Sequence, residues 1–175
     1  MKNRIFITTL ALISLISCKN EKTEPVVPST PIESFKIAID LVIKKDDSLQ
    51  LYYKDESMTD WVFDKCVTKI VKGSENSQEV IFDLPEDVLP SELRFDMGTN
   101  KNQEEVQIKN FRMKYFDKSF EAKDTLFFQY FYPNEQIDYN RAKATAKPIV
   151  KEGTIYDPVF ISRQVLTPQI NKLIK

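Results

Sequence analysis

Between residues 34 and 115, apolar and polar residues alternate with a period of two, which is typical of β-strands with one buried face. The clearest segment is SFKIAIDLVI, and similar segments are LQLYY, CVTKIVKG, EVIFDLP, LRFDMG and VQIKNFRMKYF. The pattern predicts a strand in each segment. The residues expected to face the core are Phe35, Ile37, Ile39, Leu41, Ile43, Leu49, Leu51, Tyr53, Val80, Phe82, Leu84, Leu93, Phe95 and Met97.

The turns and irregularities between these strands carry further predictions. KKDDS separates the first two strands, and we expect it to join them as a β-hairpin. In VQIKNFRMKYF the apolar phase slips by one residue at Lys109-Asn110, which predicts a β-bulge there. Gly98 ends the LRFDMG strand, where we expect a turn with positive φ. Trp61 and Phe63 lie in an irregular segment and are expected to cover the core.

The C-terminal third has weaker periodicity. DTLFFQYFY predicts a buried strand, PNEQIDYNRAKATAKP a weak helix at best, and GTIYDPVFIS the last strand. LTPQINKLIK predicts a short helix, with Thr167 as its cap and Pro168 in its first position. Many short strands and few helices predict an all-β fold, an antiparallel β-sandwich with a short C-terminal helix. A closed barrel is the alternative.

The N-terminal segment has the features of an export signal. Lys2 and Arg4 precede an apolar run over residues 5–16, which is too short to span a bilayer about 30 Å thick. The following Leu15-Ile16-Ser17-Cys18 resembles the lipobox of bacterial lipoproteins. This resemblance implies cleavage after Ser17 and attachment of lipid to Cys18. An ordinary secretory signal with a chance cysteine is the alternative.

These features divide the chain into three parts. Residues 1–17 are predicted to be a lipoprotein signal peptide, residues 18–33 a lipid-anchored tether, and residues 34–175 the β-sandwich domain. The tether is predicted because KNEKTEPVVPSTPIE contains three prolines and no apolar period. Lys19 rather than aspartate follows the cysteine, which favours the outer membrane. We expect an envelope protein bound to the membrane through lipid on Cys18. The sequence does not indicate which side of the outer membrane the domain faces.

Composition excludes several classes of function. The chain has 25 Lys and Arg against 26 Asp and Glu, with no basic block longer than two residues, so no nucleic-acid partner is expected. Histidine is absent, which excludes His-based metal sites, Ser-His-Asp triads and Cys-His dyads. The three glycines cannot build a Gly-rich phosphate loop, and no cofactor is expected. With Cys18 lipidated, Cys66 has no disulfide partner and is predicted to be a small buried residue.

The order of the strands resembles a known module. LQLYYKDESMTDWVFDK, then VIFDLPED, then LRFDMGTNKNQEEVQIKNFRMKY is similar to the galactose-binding-like jelly rolls that include many carbohydrate-binding modules. The late YDP-x-F segment, from Tyr156 to Phe160, fits the closing strand of that pattern. The resemblance covers residues 35–162 and implies a sandwich fold. It implies carbohydrate binding or structural support as functions, and a fold-level resemblance does not choose between them.

Four residues are candidates for a ligand-binding face. Arg94 and Asp96 alternate with core residues and so face outward, either as part of a binding face or as solvent-facing ion pairs across strands. Sugar binding uses flat aromatic faces beside planar hydrogen-bonding groups, and Tyr52 and Trp61 could supply the faces, as could Tyr130. Tyr52 and its neighbour Tyr53 should point to opposite sides of their strand, which predicts one exposed ring.

Acidic residues crowd the region between residues 46 and 64. Paired carboxylates could serve a glycosidase, oxygen ligands could hold a structural Ca²⁺, and charged turns would explain the same residues. The sequence does not choose among these three interpretations. These acids are Asp46, Asp47, Asp55, Glu56, Asp60 and Asp64.

The sequence therefore predicts a lipid-anchored envelope protein that binds or assembles without catalysis, with glycan as the leading ligand class. A structural lipoprotein that contacts only protein partners is the alternative, and a carboxylate-based glycoside hydrolase is a third.

Overall fold

A computed structural model describes residues 33–175, and this part of the chain folds mainly into β-strands. The strands are β1 (Lys36–Val42), β2 (Asp47–Lys54), β3 (Cys66–Val71), β4 (Gln78–Asp83), β5 (Glu92–Asp96), β6 (Val106–Tyr115), β7 (Lys118–Lys123), β8 (Phe131–Pro133), β9 (Ile137–Asn140), β10 (Thr145–Pro148) and β11 (Val159–Ser162). The α-helices in this region are α1 (Phe127–Tyr130) and α2 (Thr167–Ile174). Neither is long and apolar enough to cross a membrane, and the described residues contain no other candidate span.

The strands form two antiparallel sheets. The β1 sheet has the order β4-β1-β6-β10-β9, and β7 pairs with the far end of β6. The β2 sheet has the order β3-β2-β5-β11-β8. Every strand pair in both sheets is antiparallel. The predicted all-β sandwich is confirmed.

The core lies between the two sheets and consists of the residues that the alternation predicts. All fourteen predicted inward residues from Phe35 to Met97 are buried. Phe111, Phe127, Phe131 and Phe160 extend this core with aromatic contacts, and the rings of Phe127 and Phe131 stack with centroids 4.6 Å apart. Burying each such side chain contributes about 1.5–3 kcal/mol to folding, so alternation over many strands is sufficient to drive the two sheets together.

The predicted irregularities at Lys109 and Gly98 are both confirmed. Asp40 faces Asn110 across the β1–β6 pair, whereas the next residue, Leu41, faces Ile108, so Lys109 is the extra residue of a bulge. The bulge returns the following apolar residues of β6 to the core. Gly98 has a φ of 111°, a conformation that glycine adopts without steric strain.

The predicted hairpin between the first two strands is wrong. β1 pairs with β4 and β6, whereas β2 pairs with β3 and β5, so the KKDDS turn passes from one sheet to the other. Both strands have one apolar face, and a polar turn serves equally well for a hairpin or for a crossing between sheets. Local pattern therefore cannot distinguish the two connections.

The segment DTLFFQYFY is not one buried strand. It begins with a 3₁₀ turn at Asp124–Leu126, continues as α1, and ends in the short strand β8. Phe127, Phe128 and Phe131 are all buried. In a strand, the adjacent Phe127 and Phe128 would point to opposite faces, whereas a helical turn allows both to reach the core.

The segment predicted as a weak helix forms the β9–β10 hairpin. Its turn is a 3₁₀ segment at Arg141–Lys143, followed by Ala144 in the left-handed conformation. β9 is an edge strand that pairs only with β10, and most of its residues are exposed. An exposed edge strand has little apolar alternation, which explains why the sequence pattern did not reveal it.

The C-terminal helix is confirmed as α2, with Ile170 and Leu173 buried. Its predicted cap is wrong, because Leu166 occupies the N-cap and no side chain caps the helix. A preceding 3₁₀ turn at Gln164–Leu166 leads directly into α2, so Thr167 lies inside the helix rather than before it. Pro168 still lies in the first turn, where its missing N–H costs nothing.

Candidate binding face

A row of side chains crosses all five strands of the β2 sheet on the side away from the core. Cys66, Tyr52, Arg94, Ile161 and Tyr132 stand at paired positions on successive strands. Their neighbours along each strand, such as Leu51 and Phe95, point into the core. We call the surface around this row the β2-sheet face.

Arg94 organises the middle of the β2-sheet face. Its Nε and Nη2 atoms each donate to an oxygen of Asp96 at 2.8 Å. Nη2 also donates to both oxygens of Asp157 at 2.8 and 2.9 Å. The guanidinium lies over the Tyr52 ring, 5.1 Å from its centroid. Arg94 thus joins side chains from β2, from β5 and from the segment before β11.

Three of the four predicted candidates therefore meet in one cluster, although their pairing differs from the expectation. Arg94 and Asp96 are two residues apart on the same strand, so their ion pair is not a cross-strand pair. Both side chains are largely buried rather than facing solvent. The cluster is part of a packed surface.

The burial of Asp96 changes its protonation. Desolvation raises the pKa of Asp96 to about 7, and the nearby Asp157 acts in the same direction, while Arg94 lowers it. Burial also raises the pKa of Tyr52, with contributions from Cys66 and Asp96. The charge of Asp96 is therefore sensitive to pH near neutrality.

The prediction that one ring of the Tyr52-Tyr53 pair is exposed is wrong. Tyr52 is 8% exposed and Tyr53 is 4% exposed. The two rings do lie on opposite sides of β2, but the guanidinium of Arg94 covers the outward ring of Tyr52. Strand geometry determines the direction of a side chain, and a neighbouring strand determines whether it is covered.

Trp61 lies at the end of the same face. The Nζ atom of Lys54 is 4.5 Å from the Trp61 ring centroid and donates to the carbonyl of Thr59 at 2.8 Å. Lys54 is two residues along β2 from Tyr52, so it faces the same side. Trp61 is half-buried and Phe63 is 77% exposed, so the prediction that both cover the core is wrong. Both residues lie in the loop between the end of β2 and the start of β3.

An open hollow of about 560 Å³ adjoins the row at its Tyr132 end. Glu92, Ile161, Arg163 and Gln164 line it together with Tyr132. The Tyr132 ring is 40% exposed, and the guanidinium carbon of Arg163 lies 5.3 Å from its centroid. This hollow offers an accessible aromatic ring beside planar hydrogen-bonding side chains.

Sequence reasoning missed the residues of this hollow. Tyr132 belongs to the aromatic run that was interpreted as a buried strand, and Arg163 follows the last predicted strand without any motif. The alternation around β8 would have identified Tyr132 as an outward residue only if the short strand had been recognised. Glu92 begins the LRFDMG strand, and its position two residues before Arg94 was the available signal.

The acidic residues between positions 46 and 64 do not form one site. Asp46 and Asp47 lie at one end of β2, whereas Asp55 and Glu56 follow its other end, about 25 Å away for a strand of this length. Within residues 33–175, no three acidic or cysteine side chains lie close enough together to bind a metal ion.

Asp47 has a structural role that its place in a polar turn did not suggest. It is buried and accepts hydrogen bonds from the backbone N–H groups of Ser48, Thr99 and Asn100 at 2.8–3.0 Å. The side-chain amide of Gln103 donates to its other oxygen at 2.9 Å. Asp47 thereby anchors the loop after β5 to the start of β2.

Cys66 is a free thiol within the described region, but it is half-buried rather than buried. It stands on edge strand β3 beside Tyr52 on the β2-sheet face, with the amide nitrogen of Gln50 at 3.9 Å from its sulfur. The edge position leaves one side of the thiol uncovered. The predicted lipidation site Cys18 lies outside the described residues.

Comparisons with protein-family models, with curated proteins and with solved structures found no match. The two antiparallel sheets are therefore the support for the sandwich architecture. The resemblance to galactose-binding-like modules stays a prediction.

Proposed function

We propose that this protein is a lipid-anchored component of the bacterial cell envelope that binds glycans without catalysing a reaction. The observation that supports it is the exposed Tyr132 ring in an open hollow beside Arg163, Glu92 and Gln164. An aromatic face can stack on the apolar side of a sugar ring, and planar charged or amide groups can bind its hydroxyls. The membrane attachment rests on the lipobox at Cys18.

The arrangement of carboxylates favours binding over hydrolysis. A glycosidase of the common type needs two carboxyl groups on either side of the scissile bond. Glu92 is the one acidic residue that lines the hollow, and Lys54 lies 3.6 Å from it. Asp96 and Asp157 do not line this hollow, and both are held by Arg94.

Calorimetric titration of envelope and host-type oligosaccharides into the full chain tests this proposal. The same mixtures are assayed for new reducing ends. We expect binding without cleavage, and turnover that disappears when one carboxylate is changed would contradict the proposal.

Tyr132→Ala gives the residue-level version of that test. Loss of one stacking ring should weaken binding about fivefold, which corresponds to about 1 kcal/mol. Phe116→Ala is the matched control, because Phe116 is also exposed but lies at the β6–β7 turn of the other sheet. Equal losses in both variants would show that the hollow is not the binding site.

A second candidate function is assembly with protein partners, and the edge strands favour it. β3 and β4 lie at neighbouring edges of the two sheets and carry Ile70, 74% exposed, and Ile81, 39% exposed. An uncovered edge strand can pair with a strand of another protein. Ile70→Lys should then abolish cross-linking to envelope proteins while leaving glycan titrations unchanged.

A further inference from the structure

Two of the four arginines in residues 33–175 have no carboxylate within 4.0 Å in that part of the chain, namely Arg141 and Arg163. A guanidinium stays charged at every physiological pH, so both carry positive charge that no neighbouring acid neutralises. The other two arginines are each held by two carboxylates: Arg94 by Asp96 and Asp157, and Arg112 by Asp40 and Glu79.

Arg141 and Arg163 line the same hollow, which has a volume of about 500 Å³. Gln129 and Gln169 also line it, and no acidic residue of the described region is among its lining. Arg163 also lines the hollow beside Tyr132, so the two hollows are neighbours. Glu92, which lines the Tyr132 hollow, is paired with Lys54 at 3.6 Å. We call the combined surface of Tyr132, Arg163, Gln129, Gln169 and Arg141 the arginine groove.

Arg163 is exposed, and its side chain makes two contacts at the arginine groove. Its backbone N–H donates to the carbonyl of Tyr130 at 2.7 Å, and its Nε donates to the carbonyl of Phe131 at 3.3 Å. The Tyr132 ring lies beneath the guanidinium. Among the described residues, no acceptor is bonded to the two terminal amino groups of Arg163. These groups are available to two oxygens of an anion, the geometry in which arginine binds most strongly.

We propose that the arginine groove binds an anionic oligosaccharide, with Arg163 and Arg141 on its carboxylate or sulfate group and Tyr132 on a sugar ring. The positive charge selects the anion, and the exposed ring with two side-chain amides selects a sugar over a simple ion. This inference rests on the proposed glycan binding and adds the class of glycan.

The test uses the full chain and measures affinity by calorimetry for four probes. These are a hexasaccharide of galacturonic acid, its carboxyl-reduced derivative, a sulfated galactan hexasaccharide and a polyglutamate peptide. The first two differ only in the acid group, so their comparison needs no variant. We expect the acidic hexasaccharide to bind at least about tenfold more tightly than its reduced form. Preference for the sulfated hexasaccharide over the reduced one also supports the proposal and assigns the anion as sulfate.

Single-residue variants test whether the preference for the acidic hexasaccharide arises in the arginine groove. Arg163→Gln and Arg141→Gln should each weaken binding of the acidic hexasaccharide about tenfold. Arg141→Gln should leave the reduced form within about twofold, whereas Arg163→Gln, whose side chain also lines the Tyr132 hollow, should weaken binding of the reduced form less than binding of the acidic form. Lys143→Gln is the matched control, because Lys143 is exposed in the same 3₁₀ turn as Arg141 and its replacement removes the same charge. We expect it to change acidic binding less than about threefold, as for a screened surface charge.

The outcomes separate this inference from the proposed function. Equal affinity for the acidic and the reduced hexasaccharide would overturn the inference and leave glycan binding intact. An equal loss in Lys143→Gln, or polyglutamate binding as tight as that of the acidic sugar, would show unspecific attraction and overturn it as well. Absence of binding to all three oligosaccharides would overturn both proposals.

Discussion

At the scale of single residues, buried carboxylates determine much of the behaviour of this domain. Asp96 lies on the outer face and Asp47 at the end of β2, and both are buried among polar partners. A buried carboxylate is tolerated when hydrogen bonds replace its lost water. The two differ in their partners, since Asp96 faces a guanidinium and a second acid, whereas Asp47 accepts mainly from backbone N–H groups.

Asp96 should make stability depend on pH. Its pKa is about 7 in the folded protein and about 3.8 as an unperturbed group, so the folded state holds the proton more tightly. The stabilisation is complete below about pH 4 and is lost as the pH rises to about 7. Relative to Asp96→Asn, which does not titrate, the wild type should lose roughly 1–4 kcal/mol over that interval.

Urea denaturation of both proteins at pH 4, 5.5, 7 and 8 measures this difference. Asp64→Asn, which removes a charge from an exposed loop, is the control. A difference between wild type and Asp96→Asn that stays constant from pH 4 to 8 would contradict the assignment.

Gly98 should be intolerant of any side chain. A Cβ atom there would lie 2.3 Å from Oδ1 of Asp47, and φ is already positive. Gly98→Ala must displace the buried carboxylate from its hydrogen bonds and should cost about 2–4 kcal/mol. Gly153→Ala is the matched control, because Gly153 also has positive φ but has open space around its Cα. Similar costs in the two variants, measured by chemical denaturation, would show that Asp47 moves without penalty.

At the scale of elements, the bulge at Lys109 allows the apolar residues of β6 to face the core along the whole strand. β6 pairs with β10 at its start and with β7 at its end, while β1 pairs along both parts. If Lys109 took a regular place in the ladder, the apolar residues on one side of it would point outward. The bulge therefore keeps both halves of β6 in register with the core.

Deletion of Lys109 should preserve cooperative folding. Without this extra residue, Val106, Ile108, Phe111 and Met113 alternate regularly along β6 and all keep facing the core. Insertion of an alanine between Phe111 and Arg112 is the contrast, because it turns the apolar residues on one side of the insertion out of the core, at about 2–5 kcal/mol for each buried side chain. Loss of cooperative melting in the Lys109 deletion, followed by near-UV circular dichroism, would be inconsistent with Lys109 as the extra residue.

At the scale of the whole molecule, the proposed role combines the arginine groove with the predicted lipid attachment at Cys18. The arginine groove combines residues from α1, β8, the β9–β10 turn, the end of β11 and the start of α2. All of them belong to the C-terminal part of the chain, which passes from the β2 sheet to the β1 sheet and back between β8 and β11.

Cys18→Ala should release the protein from the membrane fraction. Lipid chains contribute roughly 0.8 kcal/mol per buried CH₂, so their removal leaves little to retain the domain. Cell fractionation and palmitate labelling measure the change, with Cys66→Ala as the control for loss of a thiol. Unchanged labelling of a membrane-bound Cys18→Ala protein would contradict the lipobox interpretation.

The sequence alone determined which face is buried in the alternating strands of the N-terminal two thirds, such as β1, β4 and β5. Phe35 to Ile43, Val80 to Leu84 and Leu93 to Met97 could be assigned to the core, and the phase slip at Lys109 revealed a bulge. Alternation is a local property with a period of two, so these predictions need no knowledge of neighbouring strands. The outward direction of the Arg94 and Asp96 side chains was predicted for the same reason.

Only the tertiary structure decided which strands are neighbours and which outward side chains stay accessible. The hairpin of β1 and β2, the exposure of the Tyr52-Tyr53 pair and the core position of Phe63 were wrong because each depends on residues distant in the chain. The rings of Tyr52 and Tyr132 both point outward from the same sheet. Arg94 covers the Tyr52 ring, whereas Tyr132 lines an open hollow. Local periodicity encodes the direction of a side chain, while its coverage depends on long-range packing that only the complete fold establishes.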